Sequence, residues 1–476
     1  MNLGVILCSW SSKPQCRTTL LGILILFSSV LSSAQKHGLG LKFNDAQYLQ
    51  KPKKALLTRG NYTGLPSKAS LKQYCPQPGN QMLLNTSVGW ATAYAARTIL
   101  EAKKRAWTNT RQITENAYSP VFNYHFAKVD DEVQNCQINA DLGKALDILT
   151  QKGVPRYVDF LEFCPKLIGD AILQKAKEHR LTGYSRIFDI NDSIALKIEL
   201  VKKSLAEGYP VVAGMHVPQS FAFAKDFWQP REKMDASIPG HAMCVIGYDN
   251  SKYGGAFEVI NSWGRQYGND GFIWIRYEDF AEFTRYAFEL FQHFNDPDAP
   301  DLGGAITLRL NNNKVMIAQL LDQQGYYKIL QPYPSGTRFQ LLISNQANLA
   351  YVYAFASDLS NAIYPIFPQN SAVSPVLNYR SGTVAYPSEN KFIQMDDNVG
   401  KDFLYILYSK DELPIDNIYN EIKTSSGPIL DRVRRVLSDD LILPSNIEFM
   451  KNKIHFSSKS NVRTIVALII EIDHTN

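Results

Sequence analysis

Four side chains, far apart in the sequence, are of the types that acyl transfer requires. Ser87 stands in "NQMLLNTSVGWATAYAA", directly before a run in which Trp90, Ala93, Tyr94, Arg97, Ile99 and Leu100 recur at helical spacing. The start of a helix offers unpaired backbone N–H groups and the positive end of the helix dipole, so it favours negative charge. That suits a nucleophile that becomes anionic, with its own N–H aimed at an oxyanion. Gln81, six residues earlier, has a carboxamide that can supply a second oxyanion donor. His241, after Gly240 at the head of an apolar strand, can take the nucleophile's proton, and Asn261 in "NSWG", one strand later, can fix the imidazole's orientation. Singly, each has a plainer explanation. A serine before a helix is most often an N-cap, a lone strand-end histidine is usually satisfied structurally, and Asn-Ser-Trp-Gly makes a turn. Their joint order is what points to a site.

The elements that must position these groups can be read from periodicity. After an extended polar leader, Gln35 to about Tyr62, helices come first: the one after Ser87, one near Leu142 to Gln151 stopped by Gly153 and Pro155, and one over Ile194–Glu207 ended by Gly208. Strands follow: Tyr209–Val217, His241–Asp249, Gly255–Gly264 and Gly271–Phe280. "NDPDAPDLGG" (Asn295–Gly304) reads as a linker. Beyond it many short strands, among them "RFQLLISN", "LAYVYAFA", "DFLYILYS" and "RTIVALIIEI", predict a β-sandwich-like module with few helices, Pro428–Leu437 being the best candidate.

The bulk numbers set the class. A chain of 476 residues, 45% hydrophobic and 20% charged, should fold as two or three globular units. A net charge of +5 without basic clusters interleaved with stacking aromatics argues against nucleic acid. No metal-ligand cluster, phosphate loop or dinucleotide motif occurs, so no cofactor is expected. Lys13 and Arg17 precede an apolar run, Leu20–Phe27, and a small-residue stretch ending at Ala34: a signal peptide cleaved near Ala34, placing the protein outside the cytoplasm, secreted, periplasmic or at the cell surface, with no integral membrane segment in the mature chain. Such a compartment permits disulfides. Cys136 and Cys164, flanking a helix–loop unit, are the expected pair, and Cys244 reads as a buried small hydrophobe. Asn61, Asn85 and Asn191 begin glycosylation triplets.

Three stretches, "NQMLLNTSVGWATAYAA", "PGHAMCVIGYD" and "VINSWGRQYGNDGFIWIRY", together resemble the papain-like peptidases, whose members carry Gln, Cys, His and Asn in that chain order. The exported bacterial branch has Gln, then Gly-Ser-Cys-Val-Gly and an aromatic. The resemblance makes Gln81 the oxyanion glutamine, Ser87 the occupant of the cysteine position, His241 the base and Asn261 the orienter, with Trp263 the aromatic that shields the His–Asn hydrogen bond. It implies an α+β fold: a two-lobed papain-like domain, helical lobe then antiparallel β lobe, over residues 65–294. That domain follows a signal peptide (1–34) and a leader (35–64), and is followed by a linker (295–304) and a β-rich sandwich-like region (305–476).

The departures from the family are several. A serine hydroxyl cannot rest as an anion beside an imidazolium as a thiol can; its proton must leave during attack. Met82 and Asn85 stand where the family has glycines and are expected to crowd the oxyanion site. The glycine that binds extended substrate is replaced by Asn139 and Ala140, and the second family tryptophan by Tyr267. The leader is shorter than a large inhibitory prodomain. The sequence therefore implies an exported papain-family homologue whose cysteine-type peptidase chemistry is lost or strongly reduced, with a peptide or protein as the cleft's ligand. The competing readings are a working hydrolase using Ser87, His241 and Asn261, and an adhesion or scaffold protein acting through its C-terminal β region.

Overall fold

The chain turns helical at Ser87 and stays so through Ser87–Gly89, Trp90–Arg97 and Thr98–Lys104, one rod whose middle stretch is wound as a π-helix. A computed structural model describes residues 37–130, 135–293, 298–460 and 462–476. The expected signal peptide and the first residues of the expected linker, 295–297, lie outside these. Every side chain from Thr86 to Ala102 is buried, which four alanines between Ala91 and Ala96 make feasible. The charged Arg97 and Glu101 are tolerated there because they pair at 3.1 Å. Helices Pro120–Ala127 and Leu142–Gln151 pack on the rod. Each begins at a side-chain cap: Ser119 accepts from the Phe122 N–H and Asp141 from the Lys144 N–H. Cys136 and Cys164 form the expected disulfide, and Cys75 and Cys244 are both buried thiols.

The β lobe is a sheet in the order Gly183–Arg186, Thr284–Phe291, Val211–His216, Gly240–Asp249, Ala256–Ile260, Phe272–Arg276 and Phe227–Trp228, with Lys68–Ser70 added to Gly240–Asp249. Val211–His216 and the first nine residues of Gly240–Asp249 are buried throughout, the mark of strands covered on both faces. Expected strand Gly271–Phe280 is a strand only to Arg276; Tyr277–Phe283 is a helix. Its first turn carries Glu278 and Asp279, and Phe280, Ala281 and Phe283 face the core at helical spacing, a pattern that a strand could not bury on one side.

The C-terminal region holds two further sheets. One runs Ala318–Leu320, Tyr326–Ile329, Ile465–Thr475, Gly400–Ser409, Ala350–Ser357 and Tyr364–Phe367; the other runs Thr383–Tyr386, Arg338–Asn345, Leu302–Leu310, His455–Ser458 and Ile447–Phe449. They meet face to face: the Tyr408 hydroxyl donates to the Ser344 carbonyl across the gap at 2.8 Å. The first strand opens at Leu302, inside the segment expected as linker. The expected helix forms at Ile429–Val436, preceded by a second, Ile415–Thr424, whose apolar Ile418, Tyr419 and Ile422 are buried.

The leader is not loose. Residues 37–42 run through the cleft, Asp45–Gln50 is a helix capped by Asn44, and residues 52–58 lie extended between the two halves of the molecule. On one side the Lys54 N–H donates to Arg186 and the Arg186 N–H to Pro52, covering the edge strand Gly183–Arg186. On the other, Lys53 donates to Ala372, Ser374 to Lys53, and Thr58 to Thr383.

Candidate active site

Gln81, Ser87, His241, Asn261 and Trp263 lie close together in the structure, and the Ala140 backbone bonds the segment that runs between them. His241 is the second residue of its strand and completely buried; its Nε2 lies 2.8 Å from Asn261 Oδ1, at the end of the neighbouring strand. The Trp263 ring covers that contact, 4.8 Å from the imidazole, and is met edge-on by Tyr267. Burial pulls the His241 pKa down to about 4, the Asn261 hydrogen bond opposes this, and His37 adds to the lowering. At neutral pH the ring is uncharged.

Ser87 heads the helix and is completely buried. Its hydroxyl does not engage the histidine. Oγ accepts the Ala242 backbone N–H at 3.3 Å, and His241 Nδ1, the ring nitrogen not used by Asn261, has no hydrogen-bond partner. A nucleophile–base pair needs that bond, or one that forms as substrate arrives.

The place expected for an oxyanion is occupied by the protein's own leader. The Leu39 carbonyl accepts from Gln81 Nε2 at 2.9 Å and from the Ser87 N–H at 3.3 Å, the two donors expected to hold an oxyanion. The second Gln81 N–H is spent on the Leu84 carbonyl at 2.7 Å, and Gln81 Oε1 accepts from Ser262 Oγ. On either side the leader is held by main-chain bonds: Gly38 N–H to Met82, Ala140 N–H to Gly40, Lys42 N–H to Ala140, and Leu41 N–H to Gly240. His37 stacks on Trp263 at 4.6 Å, and the Trp263 indole donates to the Gly38 carbonyl at 3.0 Å. The Leu41 side chain reaches Gly214 and Leu142 in the floor. Only glycine fits at 38 and 40: a Cβ would sit 2.1 Å from the Leu84 carbonyl oxygen at the first and 2.1 Å from the Asn85 carbonyl oxygen at the second, where φ is also +123°.

One expectation needs correcting. Met82 and Asn85 do not fill the oxyanion site. Met82 points outward, 48% exposed, although its φ of 54° explains why a glycine would be easier there. Asn85 turns its amide to the Gln137 carbonyl and Asn139 Oδ1. The crowding comes from Leu39. The leader, shorter than a large inhibitory prodomain, runs through the cleft. Ala140 bonds the leader through its backbone N–H and carbonyl. Leu39, Ala242 and Ser262 escape sequence reasoning because they act through main-chain groups or through a hydroxyl remote from its partner; for Leu39 the alternation Gly38-Leu39-Gly40-Leu41 is the available signal of a chain squeezed into a groove.

Residues 170–287 match the family model described as papain family cysteine protease. That part of the chain is homologous to the papain family. The match takes in His241, Asn261 and Trp263 and leaves out Gln81 and Ser87. A 154-residue stretch is 31% identical to an uncharacterized peptidase C1-like protein of Acanthamoeba polyphaga mimivirus, covering 29% of this chain and 48% of that protein, so the chain spans about half the length of the curated relative it matches. Among solved structures, xylellain, a cysteine protease from Xylella fastidiosa, aligns with 56% of this chain and 100% of its own at 23% identity and a TM-score of 0.44. Bromelain from Ananas comosus, in complex with the E64 inhibitor, aligns with 48% of this chain and 100% of its own at 17% identity and a TM-score of 0.39. The candidate site has a hydrogen-bonded His241–Asn261 pair, a serine whose hydroxyl is not bonded to that histidine, and the Leu39 carbonyl on the two expected oxyanion donors. Among the described residues no group of side chains is arranged to hold a metal, and no helix is long and apolar enough to cross a membrane.

Proposed function

We propose that this chain is an exported papain-family homologue in which peptide-bond hydrolysis is lost or strongly reduced, with Ser87 in the place of the nucleophilic cysteine and the cleft given over to holding an extended peptide segment. The observation that carries this is the Leu39 carbonyl, seated on both Gln81 Nε2 and the Ser87 N–H. A substrate carbonyl can be polarised there only after Leu39 has left. Two facts support it. The His241 ring is neutral and its Nδ1 unpartnered, so no ion pair stands ready as it would with a thiol. The Cys136–Cys164 disulfide suits the oxidising compartment that export would provide.

The second reading, a hydrolase using Ser87, His241 and Asn261, draws on the intact His241–Asn261 bond. Turnover of a mixed fluorogenic peptide library separates the two. The proposal expects purified protein and its Ser87→Ala variant to be indistinguishable from background. Hydrolysis that Ser87→Ala or His241→Ala abolishes would establish the second reading in its place.

A further inference from the structure

A second nucleophile–base arrangement lies far from the cleft, in the C-terminal sheets. Ser335 Oγ is 3.0 Å from His474 Nε2, and Asp402 Oδ2 is 3.1 Å from His474 Nδ1. The three residues come from different elements. Gly400–Ser409 and Ile465–Thr475 pair antiparallel and set Asp402 and His474 close together near their ends. Ser335 sits on the turn Pro334–Thr337, closed by the Thr337 N–H on the Pro334 carbonyl at 3.1 Å. His474 is 3% exposed, Ser335 half-buried. A buried imidazole that reaches a surface hydroxyl on one nitrogen and a carboxylate on the other is the constellation of acyl transfer, recognised by geometry rather than by chain position.

The approach to the hydroxyl is open. Gly336, next to Ser335 and at φ +81°, has nothing within 4 Å of where a Cβ would stand. Leu359, 63% exposed, lies against Gly400, the residue paired with His474, and Val399 beside it is 46% exposed; together they form an apolar shelf near the site. Two features limit the chemistry. The Asp402–His474 contact is at ion-pair distance but outside hydrogen-bond alignment. The N–H groups of Ser335, Gly336 and Thr337 are all bonded, to Thr475, Met395 and Pro334, so no pair waits for an oxyanion. Ser335 Oγ also lies 3.4 Å from the Thr475 carbonyl.

We propose that Ser335, His474 and Asp402 form a nucleophilic serine site, independent of Ser87, that accepts an acyl group from small activated esters. The Ser335 hydroxyl proton passes to His474 Nε2 as Oγ bonds to the acyl carbon. The ester's C–O bond then breaks, and the leaving alcohol or phenol carries that proton away. Water, deprotonated by the same nitrogen, later cleaves the acyl-serine and releases the acid. Without oxyanion donors, acylation is confined to activated donors and turnover is slow.

The test is covalent labelling of the whole purified protein with a fluorophosphonate probe, in which fluoride leaves phosphorus as Oγ attaches, followed by peptide mapping. The expected adduct is on Ser335, unchanged in Ser87→Ala, absent in Ser335→Ala, and formed at least tenfold more slowly in His474→Gln. Since His474 is buried, Asp402→Asn gives a gentler second variant, expected to slow labelling several-fold with the circular dichroism unchanged. No adduct on Ser335, or an adduct whose rate ignores both His474→Gln and Asp402→Asn, overturns the proposal.

Discussion

The state of the His241 imidazole is set by its burial. A completely buried His241 stays neutral, its pKa pulled by desolvation to about 4 from an ordinary 6.5. Between those values the unfolded chain binds a proton that the folded chain refuses, so this contribution to stability is whole above pH 6.5 and drains away as pH falls towards 4. From pH 7 to pH 5 it amounts to about 2 kcal/mol. Urea unfolding at the two pH values should therefore show a smaller loss for His241→Gln than for the parent; equal losses would mean that the ring is not held neutral. Gln81 makes a parallel case. All its polar atoms are engaged, with Leu39, Leu84 and Ser262, so Gln81→Ala should cost about 1–3 kcal/mol of stability by leaving buried partners unpaired. A residue kept only for catalysis would show no such cost in thermal unfolding.

Segment 37–42 decides what the site can do, and it was the least legible part of the sequence. The helix behind Ser87, the strands bearing His241 and Asn261 and the Cys136–Cys164 pairing all announce themselves through side-chain periodicity, chemistry or flanking elements. The leader's position rests on backbone bonds to Met82, Ala140 and Gly240, and a backbone bond leaves no residue type behind in the sequence. The helix Tyr277–Phe283 was hidden for another reason: Tyr277 to Phe280 is too short to separate a period of 2 from one of 3.6. Because Gly40 is pressed against the Asn85 carbonyl, Gly40→Val should drive the leader out of the cleft. A fluorescent peptide of the sequence His-Gly-Leu-Gly-Leu-Lys-Phe-Asn, residues 37–44, should then bind the variant and not the parent in a polarisation assay. Equal binding to both would show that the cleft is open already.

Taken whole, the molecule is tied together through the same leader. Lys54 pairs with the completely buried Glu289 of the β lobe and lies 3.2 Å over the Tyr379 ring of the C-terminal region, whose hydroxyl also reaches Glu289 at 2.8 Å. Burial pulls Lys54 down to about 8 against the pull of Glu289, so the pair stays charged at neutral pH. Lys54→Met strands a buried carboxylate and should cost about 3–5 kcal/mol, much of which Lys54→Met with Glu289→Gln should recover in chemical denaturation. A single substitution without measurable cost would mean that the halves are not joined there. The central claim, that the leader's own carbonyl holds the oxyanion site, is met most directly by backbone hydrogen exchange at Gly38, Leu41 and Lys42 in the intact protein. The account predicts amides protected to the level of the neighbouring sheet, since each donates to Met82, Gly240 or Ala140. Exchange at the rate of an open chain would contradict it.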